Sequence, residues 1–144
     1  MLKIKTFIYL LVFLFFSAAS LVSAETLSDL DKSKIKSVVE KQLQAFAEDD
    51  FEEAYSYAAP LIKQIFSSVE VFKNMVTTQY QAVYRPKKID FGDVKIIRGA
   101  PTLNVFLVDP DGNFVTATYL MQQQPDLSWL ISGCYLKISD FEQI

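Results

Sequence analysis

The chain has 144 residues, enough sequence for one domain rather than several. Apolar residues make up 51% and charged ones 22%, a globular balance that excludes a disordered chain and a polytopic membrane protein. Histidine is absent and Cys134 is the single cysteine, so His-based zinc sites, Ser-His-Asp triads, Cys-His dyads and an intramolecular disulfide are all excluded.

Residues 1–24 have the order of a secretory signal peptide: basic Lys3 and Lys5, an apolar run from Phe7 to Phe16, then small residues ending Val22-Ser23-Ala24. The run is shorter than the roughly 20 apolar residues of a spanning helix, and the V-x-A pattern places cleavage between Ala24 and Glu25. An uncleaved N-terminal anchor is the alternative reading of this segment. The expectation is an exported protein, periplasmic or secreted, whose single domain of residues 25–144 has no membrane attachment once the signal is removed. Losing Lys3 and Lys5, with no acidic side chain beside them, takes the net charge from −3 to −5. With Lys87-Lys88 as the only adjacent basic pair, no nucleic-acid partner is expected.

From Ser28 to Ala47 the residues Leu30, Ile35, Val38, Val39, Leu43 and Phe46 recur at helical spacing, with Ser28 or Asp29 available as the cap. Gln42 lies within that stripe and should point inward, where its amide needs either a backbone partner or a cavity to face. Asp50 and Glu53 open a second helical segment carrying Phe51, Ala54, Tyr55 and Ala58, and Pro60 starts a further short turn from Leu61 to Phe66. Ser67-Ser68-Val69-Glu70 reads as a capping box, with Phe66 and Val71 as its staple, for a helix presenting Phe72, Met75, Val76 and Tyr80. The helical half ends near Tyr84-Arg85-Pro86, where Arg85 either caps helical carbonyls or meets an anion.

Beyond Lys88, β-branched and aromatic residues form four runs, Lys88 to Arg98, Thr102 to Val108, Phe114 to Gln123 and Leu127 to Ile138. The turn signals between them are Gly99-Ala100-Pro101, Asp109-Pro110-Asp111-Gly112 and Gln124-Pro125-Asp126. The order predicts an α+β fold: three N-terminal helices packed in the concave face of a curved antiparallel sheet of about four strands. Alternation turns Val115, Ala117, Tyr119, Met121, Trp129 and Ile131 inward, and leaves Phe106, Val108 and Leu130 outward, where apolar side chains suggest an interface. Cys134 is expected to be a buried, reduced thiol among Ile131, Tyr135 and Leu136.

Gln42-Leu-Gln-Ala-Phe46, Asp50 to Pro60, Phe72-Lys-Asn-Met-Val76 with Tyr80, Tyr84-Arg-Pro86 and Trp129 to Cys134 together resemble a bacterial family catalogued as domain of unknown function 4864. That family is in turn similar to the nuclear transport factor 2-like (cystatin-like) superfamily. The resemblance covers residues 31 to 138 and implies a cone with a pocket at its open end and dimerisation through the sheet. Enzymes of that superfamily combine an acid-base carboxylate or histidine with pocket tyrosines. Here the acidic residues sit at caps and turns (Asp50, Asp109, Asp111, Asp126) or strand ends (Asp90, Asp93), so no catalytic residue is assigned. No metal site and no cofactor are expected. The reading is a non-catalytic small-ligand or protein-binding domain with its pocket between the first helix and the sheet, walled by Gln42, Tyr55, Tyr119 and Trp129. The alternatives are a homodimeric interaction module using the outer sheet face at Phe106, Val108 and Leu130, and an enzyme with a tyrosine-lined pocket.

Overall fold

The structure, a computed structural model, describes residues 26–139, so the leader-like segment and the Ala24/Glu25 junction lie outside the described residues. Helices α1 (Asp29–Ala47), α2 (Phe51–Ser56), α3 (Pro60–Ile65), α4 (Val69–Gln79) and α5 (Gln81–Tyr84) precede strands β1 (Lys88–Ile97), β2 (Ala100–Val108), β3 (Phe114–Gln123) and β4 (Trp129–Ile138). This is the α+β order of the sequence, but the helical half is cut into five pieces among the described residues rather than three. Proline at the first position of α3 separates it from α2, and Tyr80, with φ −124° and ψ 41°, breaks the chain between α4 and α5.

Local chemistry sets the helix starts. The Ser28 hydroxyl accepts from the Asp31 N–H at 3.0 Å, and the Asp50 carboxylate accepts from the Glu53 N–H at 3.0 Å, each relieving one orphan donor. For α4 the cap is Ser68, bonded by the Val71 N–H at 3.2 Å, one residue later than the S-x-x-E pattern places it. The Phe66/Val71 staple expected from that pattern is therefore out of phase, and Val71 is 45% exposed.

The four strands form one antiparallel sheet in the order β1-β2-β3-β4. Between β1 and β2 the turn is Arg98-Gly99, both at positive φ (51° and 78°), the geometry two-residue hairpins favour. That moves the turn ahead of the predicted Gly99-Ala100-Pro101 and leaves Pro101 within β2, opposite Ile96 and just outside the β3 ladder, which begins at Thr102. Asp109 organises the second hairpin by accepting from the N–H groups of Asp111 and Asn113 at 2.9 and 2.8 Å.

One sheet face is covered by helices. Leu103, Val105 and Leu107 of β2, Val115, Ala117, Tyr119 and Met121 of β3, and Trp129 and Ile131 of β4 are all buried against α1-side residues Ile35, Val39, Leu43 and Phe46. Two β-bulges disturb the alternation. In β1 the register shifts between Phe91 and Val94, where an added Cβ on Gly92 would come within 2.9 Å of the Asn104 carbonyl oxygen. In β4 it shifts beside Leu120 and Met121, which pair with Gly133 and Ile131 and leave Ser132 over. The β4 bulge reverses the facing of everything after it: Cys134 pairs with Tyr119 and Leu136 with Ala117, both inward, while Tyr135 is turned out and 63% exposed. Tyr135 is thus a surface residue, contrary to its expected place in the packing around the thiol.

Candidate functional site

The edge strand β4 is held to the helical half by backbone. The Ala59 N–H donates to the Ile131 carbonyl and the Ile131 N–H to the Tyr57 carbonyl, each at 2.8 Å, so the α2–α3 bend continues the sheet for one bridge at Ala58. Under this bridge lies a cavity of about 80 Å³. Gln42 and Phe46 of α1, Phe72 and Val76 of α4, Val83, Tyr119 and Ile131 form its buried walls, and half-buried Ile62, Phe66, Met75, Tyr80 and Cys134 form its rim. That rim is shared by α3, α4 and β4.

Two of the four expected pocket residues meet here. Gln42 is 5% exposed; its Nε2 donates to the Ala54 carbonyl at 3.1 Å while the side chain also lines the cavity. The two alternatives for this glutamine, a backbone partner or a cavity wall, are therefore both realised. Tyr119 is 1% exposed, lines the same cavity, and has a hydroxyl without a hydrogen-bond partner. The thiol of Cys134 is its cross-strand neighbour, near enough to act on the hydroxyl's titration, but it falls short of hydrogen-bond geometry.

Tyr55 and Trp129 do not line the cavity. The Tyr55 hydroxyl donates to the Phe66 carbonyl at 2.6 Å, closing the end of α3, and its ring packs against Phe72 with centroids 5.3 Å apart. It positions the rim from behind. Trp129 is an inward residue at the N-terminal end of α1, away from Gln42 and Phe46, where its Nε1 donates to Asp31 Oδ1 at 3.2 Å. It fixes the first turn of α1 to the start of β4, and with Asp31 also bonded by Ser28 the carboxyl is held below its ordinary range. Sequence reasoning overestimated both because aromatic type and inward facing do not say which side of a helix a residue reaches.

Conversely, the rim residues Ile62, Phe66 and Cys134 were missed as pocket residues. Met75 and Tyr80 read from the sequence only as part of one helix face, and their i, i+3 and i, i+4 spacing from Phe72 and Val76 is the signal that places them with those cavity residues. Nothing in the sequence marks the bulge that turns Cys134 inward. Tyr80 braces the rim by donating from its hydroxyl to the Cys134 carbonyl at 3.1 Å.

The site is electrically neutral. Burial, with the Cys134 sulfur adding to it, raises the Tyr119 hydroxyl well above the usual phenol value, and burial pushes the Cys134 thiol up to about 12. Burial likewise raises Tyr80. All three stay protonated at neutral pH, and no Asp, Glu, Lys or Arg lines the walls. Among the described residues, no cluster of three or more Cys, Asp or Glu is arranged to hold a metal ion. Arg85 is occupied elsewhere: Nη1 donates to the Phe46 carbonyl at 2.8 Å and Nη2 to Asp49 Oδ1 at 2.7 Å, so it caps the end of α1 rather than the last helix before the sheet.

The expected interface residues do not form one patch. Phe106 is 48% exposed and Val108 half-buried at one end of the outer face, while Leu130 pairs with Gln122 near the other end. Phe106 pairs with Thr116, six residues from Gln122 along β3, a separation of about 20 Å at roughly 3.4 Å per residue. Thr116, Thr118 and Asn104 lie between, with Thr118 donating to Asn104 Oδ1 at 2.9 Å.

Compared with known proteins, residues 28–143 match the family described as Domain of unknown function (DUF4864). The chain belongs to this family. The match spans every described helix and strand, so the cavity is built entirely of family-domain sequence. No curated protein and no solved structure matches the chain. No helix among the described residues is long and apolar enough to cross a membrane.

Proposed function

We propose that this chain is an exported, non-catalytic binding domain that holds a small molecule in the cavity between α1, α4 and β4. The observation that carries the reading is the Tyr119 hydroxyl, fully buried at the cavity wall with no partner. An unsatisfied buried hydroxyl costs about 1–3 kcal/mol, which a core tyrosine avoids by bonding to the fold or by being phenylalanine. A ligand supplies the missing partner. Catalysis is not part of the proposal, because the titratable groups at the wall are held protonated and no carboxylate lies among them to act as a base. Export is supported by Lys3, Lys5, the apolar run and the V-x-A motif.

Native mass spectrometry of protein recovered from the exported fraction tests the reading, with a carried small molecule as the expected result. Met75→Trp, which plugs the half-buried rim, should lose that molecule while remaining folded. A bare wild-type protein whose cavity methyl groups also ignore a fragment library would defeat it.

A second reading rests on the outer sheet face, where Phe106 is exposed and Val108 half-buried at the β2–β3 end. In that reading a second copy covers them. Sedimentation of wild type and Phe106→Asp at high micromolar concentration decides it: a dimer lost in the variant supports the homodimer, and a wild-type monomer removes it.

A further inference from the structure

The free hydrogen-bonding capacity of the cavity is narrow. Gln42 Nε2 spends one of its two N–H groups on the Ala54 carbonyl and the Tyr80 hydroxyl donates to the Cys134 carbonyl, so the buried polar atom at the wall left with no hydrogen bond at all is the Tyr119 hydroxyl. A ligand that presents an acceptor to it satisfies its donor. An ionised group there would lose its hydration without gaining a counter-charge, since no charged side chain lines the walls. Size adds a further restriction. An apolar cavity of about 150 Å³ accommodates benzene, so about 80 Å³ encloses only the end of a larger molecule. The remainder must leave over the half-buried rim, where Ile62, Phe66 and Met75 offer an apolar path. Beside that mouth α3 exposes Leu61 (57%) and Ile65 (61%), an apolar surface its fold leaves uncovered.

We infer that the cavity takes a neutral aliphatic molecule with one hydrogen-bond-accepting oxygen at its end, seated oxygen-first against the Tyr119 hydroxyl with its chain emerging over the rim. The inference deepens the ligand-binding reading and rests on it. Tyr119 sets the class by offering an unpaired hydroxyl to the ligand's oxygen, the uncharged wall rejects carboxylates and amines, and the apolar rim favours a hydrocarbon chain over a sugar or peptide.

The test uses 1-hexanol and hexanoate at neutral pH, titrated into the full domain and followed at the methyl groups of Met75, Val76 and Ile131. 1-Hexanol should shift these methyl groups, and hexanoate should bind at least about tenfold more weakly. Tyr119→Phe should weaken 1-hexanol about tenfold while keeping the fold, as judged by circular dichroism. Hexanoate binding as tightly as the alcohol in wild type overturns the neutral class, and an unchanged 1-hexanol affinity in Tyr119→Phe overturns the oxygen-first seating; either result leaves a ligand cavity standing. Absence of methyl shifts with both probes overturns the ligand-binding reading and this inference with it.

Discussion

Gln42 and Cys134 reach the same cavity by different routes, and they differ in how far the sequence revealed them. An amide in the middle of an apolar helical stripe is conspicuous, and its burial followed from helical spacing alone. Its bond to Ala54 did not, because that contact depends on how the bend after Ala47 folds α2 back. Gln42→Leu should cost about 1 kcal/mol in urea unfolding, since one buried hydrogen bond is lost while the Ala54 carbonyl keeps the Tyr57 N–H. A loss of several kcal/mol would mean the amide holds the helices together rather than facing a cavity. For Cys134 the expected signature is in alkali. Its thiol is raised from 9.0 to about 12 in the folded chain, so below pH 9 it is protonated in both states and contributes no pH dependence. Above that pH the unfolded chain releases the proton and the folded one retains it, so stability should fall by about 1.4 kcal/mol per pH unit until the folded thiol ionises. Tyr119 is raised in the same direction and adds to the slope at higher pH. Cys134→Ala should flatten the first part of the decline, and thiol labelling should be slow in native protein and fast in denaturant. A wild-type stability independent of pH between 9 and 11 would contradict this account.

Helix starts were legible because caps are local: Ser28 and Asp50 bond donors three residues away, a spacing visible in the chain itself. The strands were legible for the same kind of reason, since Val115, Ala117, Tyr119 and Met121 alternate strictly and are all buried. Bulges were not legible. Their extra residue is defined only against a partner strand, which is why strand alternation alone places Tyr135 in the thiol's surroundings and gives no reason to place Cys134 at the cavity. In β1 the bulge does have a sequence trace in Gly92, whose backbone lies against Asn104 and the Phe106 ring. Gly92→Ala should destabilise by on the order of 1–3 kcal/mol, as the new methyl forces β1 away from β2. The helix-to-helix clamp at Arg85 makes a parallel prediction. Arg85→Ala frees the Phe46 and Ala47 carbonyls at the end of α1 and should cost about 1 kcal/mol, and Arg85→Lys should recover little because an ammonium cannot bond Phe46 and Asp49 as a fork. Full recovery by lysine would show that charge alone is needed there.

At the scale of the molecule, the helices close one face of a four-stranded sheet around a small neutral cavity and leave a mixed outer face. The α+β class was readable because helical and strand periodicities occupy separate halves of the chain. The cavity was only half readable. Its polar wall residues, Gln42 and Tyr119, stood out by type and phase, but which aromatics complete it depends on the short α3 and the bulge in β4. The proposed role depends on one hydroxyl being left unpaired by the fold itself. The unfolding free energy of ligand-free Tyr119→Phe, measured against wild type in urea, tests that most directly. A gain of about 1 kcal/mol is predicted, because the variant removes a buried donor that the fold does not satisfy. A loss of 1 kcal/mol or more would show, by the same reasoning, that the hydroxyl already has a structural partner and that the cavity holds no vacancy for a ligand.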